Sequence, residues 1–388
     1  MRAGERTQAG ARMRVFVPNL LSWDGSAPVT GGLERFARQL LRLLRSLGWQ
    51  PEVWQYAAAD WLKEWEGFPV HGCGLSAIAL EAGFQQLHQG GADVPILYAS
   101  LAFHPARYQP GSLVMSHGVW WDGAGVPAEQ IRAAFRWAEQ ALAQARLVVS
   151  CDYNFLNVVR SWQPDLAGKI RVIPNFVDTD AFVPGDAGSQ VVILYPRRLD
   201  ERRGLQLFLQ AAAALLPRFP QVSFLLSVDD NHPAETEKLR RWLADQPWRE
   251  QVELVTASME AMPEVYRRAQ IVVLPSLYSE GTSFSCLEAM ASGCAVVASD
   301  VGGLTNLILS GYNGLLLPPR ASALVEALEQ LIREPDLRAR LGRRARQVAE
   351  EAFSLQRWED QWRRVITQVY GRPLDRGPQH GAEGGTGR

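Results

Sequence analysis

The sequence predicts an α/β protein made of two doubly wound domains that face each other across a cleft. Two observations carry that expectation. Short apolar runs of strand length alternate with amphipathic runs of helix length in both halves, and the rhythm pauses once, at a Pro-, Gly- and Asp-rich stretch over residues 174–189. A chain of 388 residues, 47% hydrophobic and 21% charged, has the length for two such domains and the apolar content for two cores.

In the first half, strands are expected at residues 14–18, 52–54, 96–99, 113–116, 147–150 and 171–173. The second half restarts at 191–195 and continues at 222–228, 252–255, 271–274, 295–298 and 314–317. Near the end, Leu355, Trp358, Trp362, Val365 and Ile366 recur at helical spacing. Ligands of doubly wound sheets bind beyond the carboxyl ends of the strands, so a site is expected between the domains.

Composition excludes several classes. With 40 basic against 41 acidic residues the formal net charge is −1, which provides no global field for nucleic acid. Cys73, Cys151, Cys286 and Cys294 show neither C-x2-C spacing nor paired histidines, so no zinc site or disulfide framework is indicated and reduced thiols in the cytoplasm are expected. No G-x-G-x-x-G follows the first strand and no G-x4-G-K-[ST] occurs, which removes the main support for dehydrogenase and P-loop readings. Residues 1–12 lack the apolar core of a signal peptide, and no uncharged run is long enough to span a bilayer. That segment reads as a disordered extension or as an over-extended start ahead of Met13, and residues 371–388 as a disordered tail.

The most informative stretch runs from Leu274 to Pro319. Between the expected strands 271–274 and 295–298, a small-residue turn opens into a helix, with Glu280 on the loop and Glu288 in the helix. Two carboxylates so placed can bind two parts of one polyol, while the free N–H groups and positive dipole end of the helix, around Gly281, Thr282, Ser283, Phe284 and Ser285, favour an anion such as a diphosphate.

This Glu280…Glu288 pattern resembles the E-x7-E region of retaining glycosyltransferases of the GT-B fold, family 4. Other segments follow in the family's order. Residues 195–204, Tyr-Pro-Arg-Arg-Leu-Asp-Glu-Arg-Arg-Gly, resemble its G-R-L-x-x-x-K-G; Ile173-Pro174-Asn175-Phe176-Val177-Asp178 resembles I-P-N-G-V-D; Val301-Gly302-Gly303 and residues 311–316 resemble its V-G-G and G-x-N-G-L-L turns. The resemblance implies two Rossmann-like domains, an acceptor-side one over residues 13–175 and a nucleotide-sugar-binding one over 176–355, with a helix over 356–370 crossing back to the first.

Residue by residue, the resemblance implies that Arg198 and Arg203 neutralise the departing diphosphate, with Arg202 the rival register for the second cation. Arg203 stands in the family's lysine position, a planar fork replacing a point charge. Glu288 would hold the nucleotide ribose, and Glu280 with His117 the transferred sugar. Gly31 and Gly32, ahead of an expected helix, would let backbone approach the phosphates and the acceptor. Trp120, Trp121 and Asp122 read either as an acceptor platform or as packing. Two departures stand out: Asn306 replaces the glutamate of G-G-x-x-E, and Gly281-Thr282-Ser283 replaces a G-F-G.

Arg35, Arg38, Arg42 and Arg45 fall on one stripe of the first helix, either a solvated face or a docking surface for an anionic membrane. The implied reaction is retaining transfer of a hexose from a UDP- or GDP-sugar to a glycan or glycolipid hydroxyl, without metal or other cofactor, at the inner face of the cell membrane or in the cytoplasm. Two alternatives stand beside it: a GT-B epimerase or hydrolase of nucleotide sugars, and an idle sugar-nucleotide-binding subunit.

Overall fold

The computed structural model describes residues 11–89, 93–101, 103, 106–123, 126–185, 190–228 and 233–372. The first sheet holds β1 (Ala11–Phe16), β2 (Trp49–Ala57), β3 (Trp61–Trp65), β4 (Phe68–Gly74), β5 (Ile96–Tyr98), β6 (Leu113–Ser116), β7 (Leu147–Ser150) and β8 (Ile170–Val172). Its order is β3-β4-β2-β1-β5-β6-β7-β8, parallel throughout except for the β3/β4 pair. The helices between them are α1 (Gly32–Ser46), α2 (Ala77–His88), α3 (Ala128–Gln144) and α4 (Tyr153–Trp162).

The second sheet holds β9 (Val191–Pro196), β10 (Val222–Val228), β11 (Val252–Thr256), β12 (Ile271–Leu274), β13 (Ala295–Ser299) and β14 (Leu315–Leu317) in the order β11-β10-β9-β12-β13-β14, all parallel. Around it lie α5 (Leu205–Leu215), α6 (Pro233–Ala244), α7 (Met262–Arg267), α8 (Phe284–Ala291), α9 (Ala321–Arg333) and α10 (Pro335–Phe353). Strand alternation puts Val15 and Phe16 into different core clusters, as it does Ile193 and Leu194, so each sheet is covered on both faces.

Two features differ from the sequence reading. Ala11 and Arg12 belong to β1 rather than to an extension: Ala11 pairs in register with Trp49, and Arg12 grips Glu52 through Nε at 2.7 Å. Residues 1–10 and 373–388 of the expected extension and tail lie outside the described residues. The β3–β4 hairpin was not expected at all. Its turn puts Glu66 at φ 50° and Gly67 at φ 75°, and Glu66 is the only non-glycine with positive φ among the described residues.

The arginine stripe of α1 explains how that turn is held. Arg38 and Arg42 both pair with the Glu66 carboxylate, while Arg45 donates to the Glu66 and Gly67 carbonyls at 3.2 and 2.8 Å and lies over the Phe68 ring. Arg35, the fourth member, reaches Glu288 in the second domain. The stripe is therefore paired within the protein along its length, while Arg42 and Arg45 remain exposed to solvent.

The chain crosses between the sheets twice, and the crossings are bonded together. Val177 N–H donates to Phe353 O and Leu355 N–H to Val177 O, each at 2.9 Å. Beyond this point α11 (Leu355–Tyr370) packs Trp358, Trp362, Val365, Ile366 and Tyr370 into the core of the first domain. The Tyr370 hydroxyl donates to Ile96 O at 2.6 Å and accepts from Leu113 N–H at 2.8 Å, closing a gap between β5 and β6. No described helix is long and apolar enough to cross a membrane. Tyr370→Phe strips both buried backbone groups of that partner and is expected to cost about 1–3 kcal/mol, read as a lower urea midpoint with an unchanged m-value.

Candidate active site

Each domain contributes loops from the carboxyl ends of its strands, and they meet around Glu280. After β12, residues 275–283 run to the start of α8, and Glu280 turns into the protein, where burial opposes its charge. Arg197 Nη2 donates to Oε1 at 2.6 Å and Arg203 Nη1 to Oε2 at 2.7 Å, with Ser276 Oγ donating to Oε1 at 2.7 Å. The two guanidiniums outweigh the burial and hold the carboxyl at about 2, so Glu280 is ionised at any physiological pH.

The turn after β9 separates Arg202 from Arg203. Gly204, at φ 74°, lies so close to Pro275 O that any side chain there would overlap it. A short 3-10 turn over Glu201–Arg203 precedes that glycine; it sends Arg202 outward to Asp200 at 2.8 Å and Arg203 inward to Glu280. Arg198 is exposed and reaches across to the first domain, where its Nη1 lies 3.8 Å from where a Gly31 Cβ would stand, and its charge bears on Glu34.

Gly31 is the N-cap of α1, in extended backbone, and Gly32 opens the helix. Glu34 folds back over this terminus, so a Cβ on Gly31 would overlap its carboxylate, and Asn19 Nδ2 donates to it at 2.8 Å. Burial raises the Glu34 pKa, opposed by its own amide, Arg198 and Asn19. Sequence reading missed Glu34 and Arg197. Glu34, at the third position of a helix that begins with two glycines, carries the spacing of a helix-capping carboxylate. Arg197 carries no comparable local signal.

His117 follows β6, half-buried, with its ring edge-on to Phe36 at 5.1 Å. Its Nε2 lies 2.7 Å from Ala99 O; a carbonyl only accepts, so Nε2 carries the proton and Nδ1 is left as an acceptor. Burial pushes its pKa down to about 4, which keeps the ring neutral.

Glu288, on α8 and almost fully buried, is paired with Arg35 of the first domain, whose guanidinium also lies 4.7 Å over the Phe284 ring. Ser283 is the N-cap of α8 but does not cap it, because its Oγ accepts from Arg197 at 3.0 Å. Thr282 and Phe284 serve the seam between domains. The Thr282 hydroxyl donates to Cys151 O at 3.0 Å and accepts from Asn175 N–H at 2.9 Å, and Phe284 packs on Gly32 and Phe176. Ser285 Oγ is directed at Pro196 O at 3.3 Å. Gly281 presses against the first domain, where a Cβ would come within 2.5 Å of His117 O and 2.6 Å of Cys151 Sγ.

Other contacts complete that seam. Asp122 meets Ser279, and Trp121 packs within the core of the first domain while Trp120 is exposed. Asn306, on the loop after β13, accepts from Tyr153 N–H at 2.8 Å, so the amide in this departure bridges to the first turn of α4.

Comparison with known proteins follows the same two-part division. The pattern described as "Glycosyltransferase Family 4" matches residues 30–181, and that described as "Glycosyl transferases group 1" matches residues 177–348. An alpha-D-kanosaminyltransferase of Streptomyces kanamyceticus is 29% identical over 46% of this chain and 46% of its own length. A D-inositol 3-phosphate glycosyltransferase of Kribbella flavida is 30% identical over 55% of this chain and 54% of its own, and one of Frankia alni 26% identical over 80% and 88%. The match to the first two of these relatives thus spans about half their length.

Among solved structures, a sucrose-phosphate synthase of Thermosynechococcus elongatus superposes with a TM-score of 0.78 at 21% identity, covering 93% of this chain and 99% of that one. Anabaena HepE, solved with UDP, gives 0.70 at 17% identity over 92% and 100%; at such identity these likenesses speak to the fold, which is GT-B. With family models matching residues 30–181 and 177–348, the chain belongs to the family 4 (group 1) glycosyltransferases.

Proposed function

We propose that this protein is a retaining glycosyltransferase that moves a hexose from a UDP- or GDP-sugar to a hydroxyl of a glycan or lipid-linked acceptor. The observation that carries this reading is the convergence of Arg203, Arg198, Glu280, the glycine-led start of α1 and the uncapped start of α8 in one interdomain cleft. Membership of the group 1 glycosyltransferases and the similarity to Anabaena HepE, solved with UDP and with UDP-glucose, support a nucleotide-sugar donor.

The chemistry follows from where charge develops. As the bond from the anomeric carbon to the phosphate oxygen breaks, negative charge grows on the diphosphate and positive charge on the sugar ring. Arg198, Arg203 and the N–H groups at the start of α8 stabilise the first. The acceptor oxygen bonds the same face of the anomeric carbon, and its proton passes to the leaving phosphate. Glu288 accepts from the ribose hydroxyls, in exchange with Arg35. His117, neutral above pH about 4, positions the sugar as a hydrogen-bond acceptor at Nδ1 and does not serve as an acid. With the leaving group held by guanidiniums and amides, we propose that no metal ion or other cofactor is needed. Peripheral attachment to the inner face of the cell membrane belongs to this reading; of the α1 arginines, Arg42 and Arg45 are the exposed ones that could meet it.

Thermal-shift and calorimetric titration against UDP, GDP, TDP, ADP and their hexose conjugates, with EDTA or with magnesium, tests the donor. Selective stabilisation by one nucleotide, undiminished by EDTA, is expected; a ligand at a hundredfold its Kd adds about 2.7 kcal/mol. Silence toward every nucleotide sugar would overturn the reading. Glu288→Gln should weaken donor binding about ten- to a hundredfold while the fold is kept, by loss of charge-assisted hydrogen bonds; an unchanged Kd would take Glu288 off the ribose. Arg203→Ala should lower kcat by about 10²–10³ and donor affinity by much less, because its charge is matched to the leaving group. Equal losses would make it a ground-state anchor only.

A further inference from the structure

The two oxygens of Glu280 are held differently. Oε1 receives Arg197 and Ser276, while Oε2 receives Arg203 alone among the described residues. The two arginines also differ in freedom. The Arg197 side chain is 5% exposed and is walled in by further bonds to Ser276 Oγ and Ser283 Oγ at 3.0 Å each; that of Arg203 is 23% exposed and has Glu280 as its described side-chain partner. Arg197 occupies the glycine position of the segment that resembles G-R-L-x-x-x-K-G, so this is a cation added to the pattern.

We propose that Arg197 is a positioning residue, the permanent counter-ion of Glu280, and that Arg203 is its exchangeable one. On donor binding, Arg203 leaves Oε2 for the diphosphate, and the vacated oxygen accepts a hydroxyl of the transferred hexose. Arg197 stays on Oε1 and keeps the carboxylate charged and aimed. The proposal rests on the glycosyl-transfer reading of this cleft.

Three physical points favour the exchange. A diphosphate carries more negative charge than one carboxylate and competes for whichever guanidinium can reach it, which is the exposed one. Arg197 repels Arg203, the leading cause of Arg203's lowered pKa, and that repulsion is relieved when Arg203 moves to phosphate. A buried carboxylate stripped of both cations would take up a proton, because burial is the largest single influence on Glu280. The other titratable groups that face it, the Tyr195 phenol and the Cys286 thiol, are pushed up by burial and stay neutral. The charge on Glu280 through turnover therefore depends on Arg197.

The test compares wild type, Arg197→Ala, Arg197→Lys and Arg203→Ala by kcat and kcat/KM from about pH 5 to 9, with UDP-glucose, or GDP-mannose if the donor screen selects guanosine. The kcat profile reports groups in the donor complex and kcat/KM those of the free enzyme. Wild type should show no acid limb from Glu280. Arg197→Ala should acquire one in kcat, down about tenfold at pH 5 relative to pH 8, but none in kcat/KM, because Arg203 still pairs with Glu280 in the free enzyme; Arg197→Lys should restore the flat kcat profile. Arg203→Ala should acquire no acid limb in either profile, because Arg197 stays on Oε1 in both free enzyme and donor complex.

A flat kcat profile in Arg197→Ala, or a new limb in the kcat profile of Arg203→Ala, overturns the exchange while leaving glycosyl transfer standing. If both Arg197 variants fail to fold, the Arg203→Ala profiles decide alone. A wild type inert to every nucleotide sugar overturns the underlying reading and the exchange with it.

Discussion

Backbone must touch backbone at the loop after β12, and the rest of the cleft depends on that. Glu280 O accepts from Gly303 N–H at 2.6 Å on one side, and on the other Gly281 lies against His117 O and Cys151 Sγ with no room for a methyl group. This approach brings the first turn of α8 to the first turn of α1, Phe284 onto Gly32, and so joins the two helix starts and both sets of cations. The glycines are required here by contact distance, whereas Gly204 is required by its left-handed φ as well. Thr282 then fastens the loop by bonding Asn175 of the crossing segment and Cys151 of the first domain.

Three carboxylates of the cleft each face an opposite charge. Glu280 meets Arg197 and Arg203, Glu288 meets Arg35, and Glu34 feels Arg198. Because one partner of the last two pairs comes from each domain, the closed arrangement is held by attractions that an entering diphosphate sugar would redistribute rather than add to. A near-neutral chain can therefore have a strongly polar interior seam, and the net charge says little about it.

The parallel sheets were legible because strands buried on both faces are written as continuous apolar runs, as in β12 and β13. The hairpin of β3 and β4 was not, since β3 is an exposed edge of mixed polarity and its turn sets Glu66 beside Gly67, where asparagine, aspartate or glycine is the usual signal. At the site, the spacing of Glu280 and Glu288 was enough to put one on a loop and the other on a helix. Partner choice was not readable: Arg197 finds Glu280 at 83 residues' separation and Arg35 finds Glu288 at 253, and no local pattern encodes such pairs. Likewise the arginines of α1 read as a free stripe because Glu66, their shared partner, lies on a turn that only the folded hairpin creates.

The paired crossings at Val177 and Ser354 bear on how the molecule is put together. The described chain starts in β1 and ends in α11, both built into the first domain, and everything from β9 to α10 leaves and returns through two backbone segments bridged side by side. In topological terms the second domain is an insertion into the first, with its entry and exit points already within hydrogen-bonding distance. Such an arrangement lets the inserted unit swivel as one body about a narrow double neck. It also means that the first domain completes its core only after the whole of the second has been synthesised, since Trp358 and Trp362 come last.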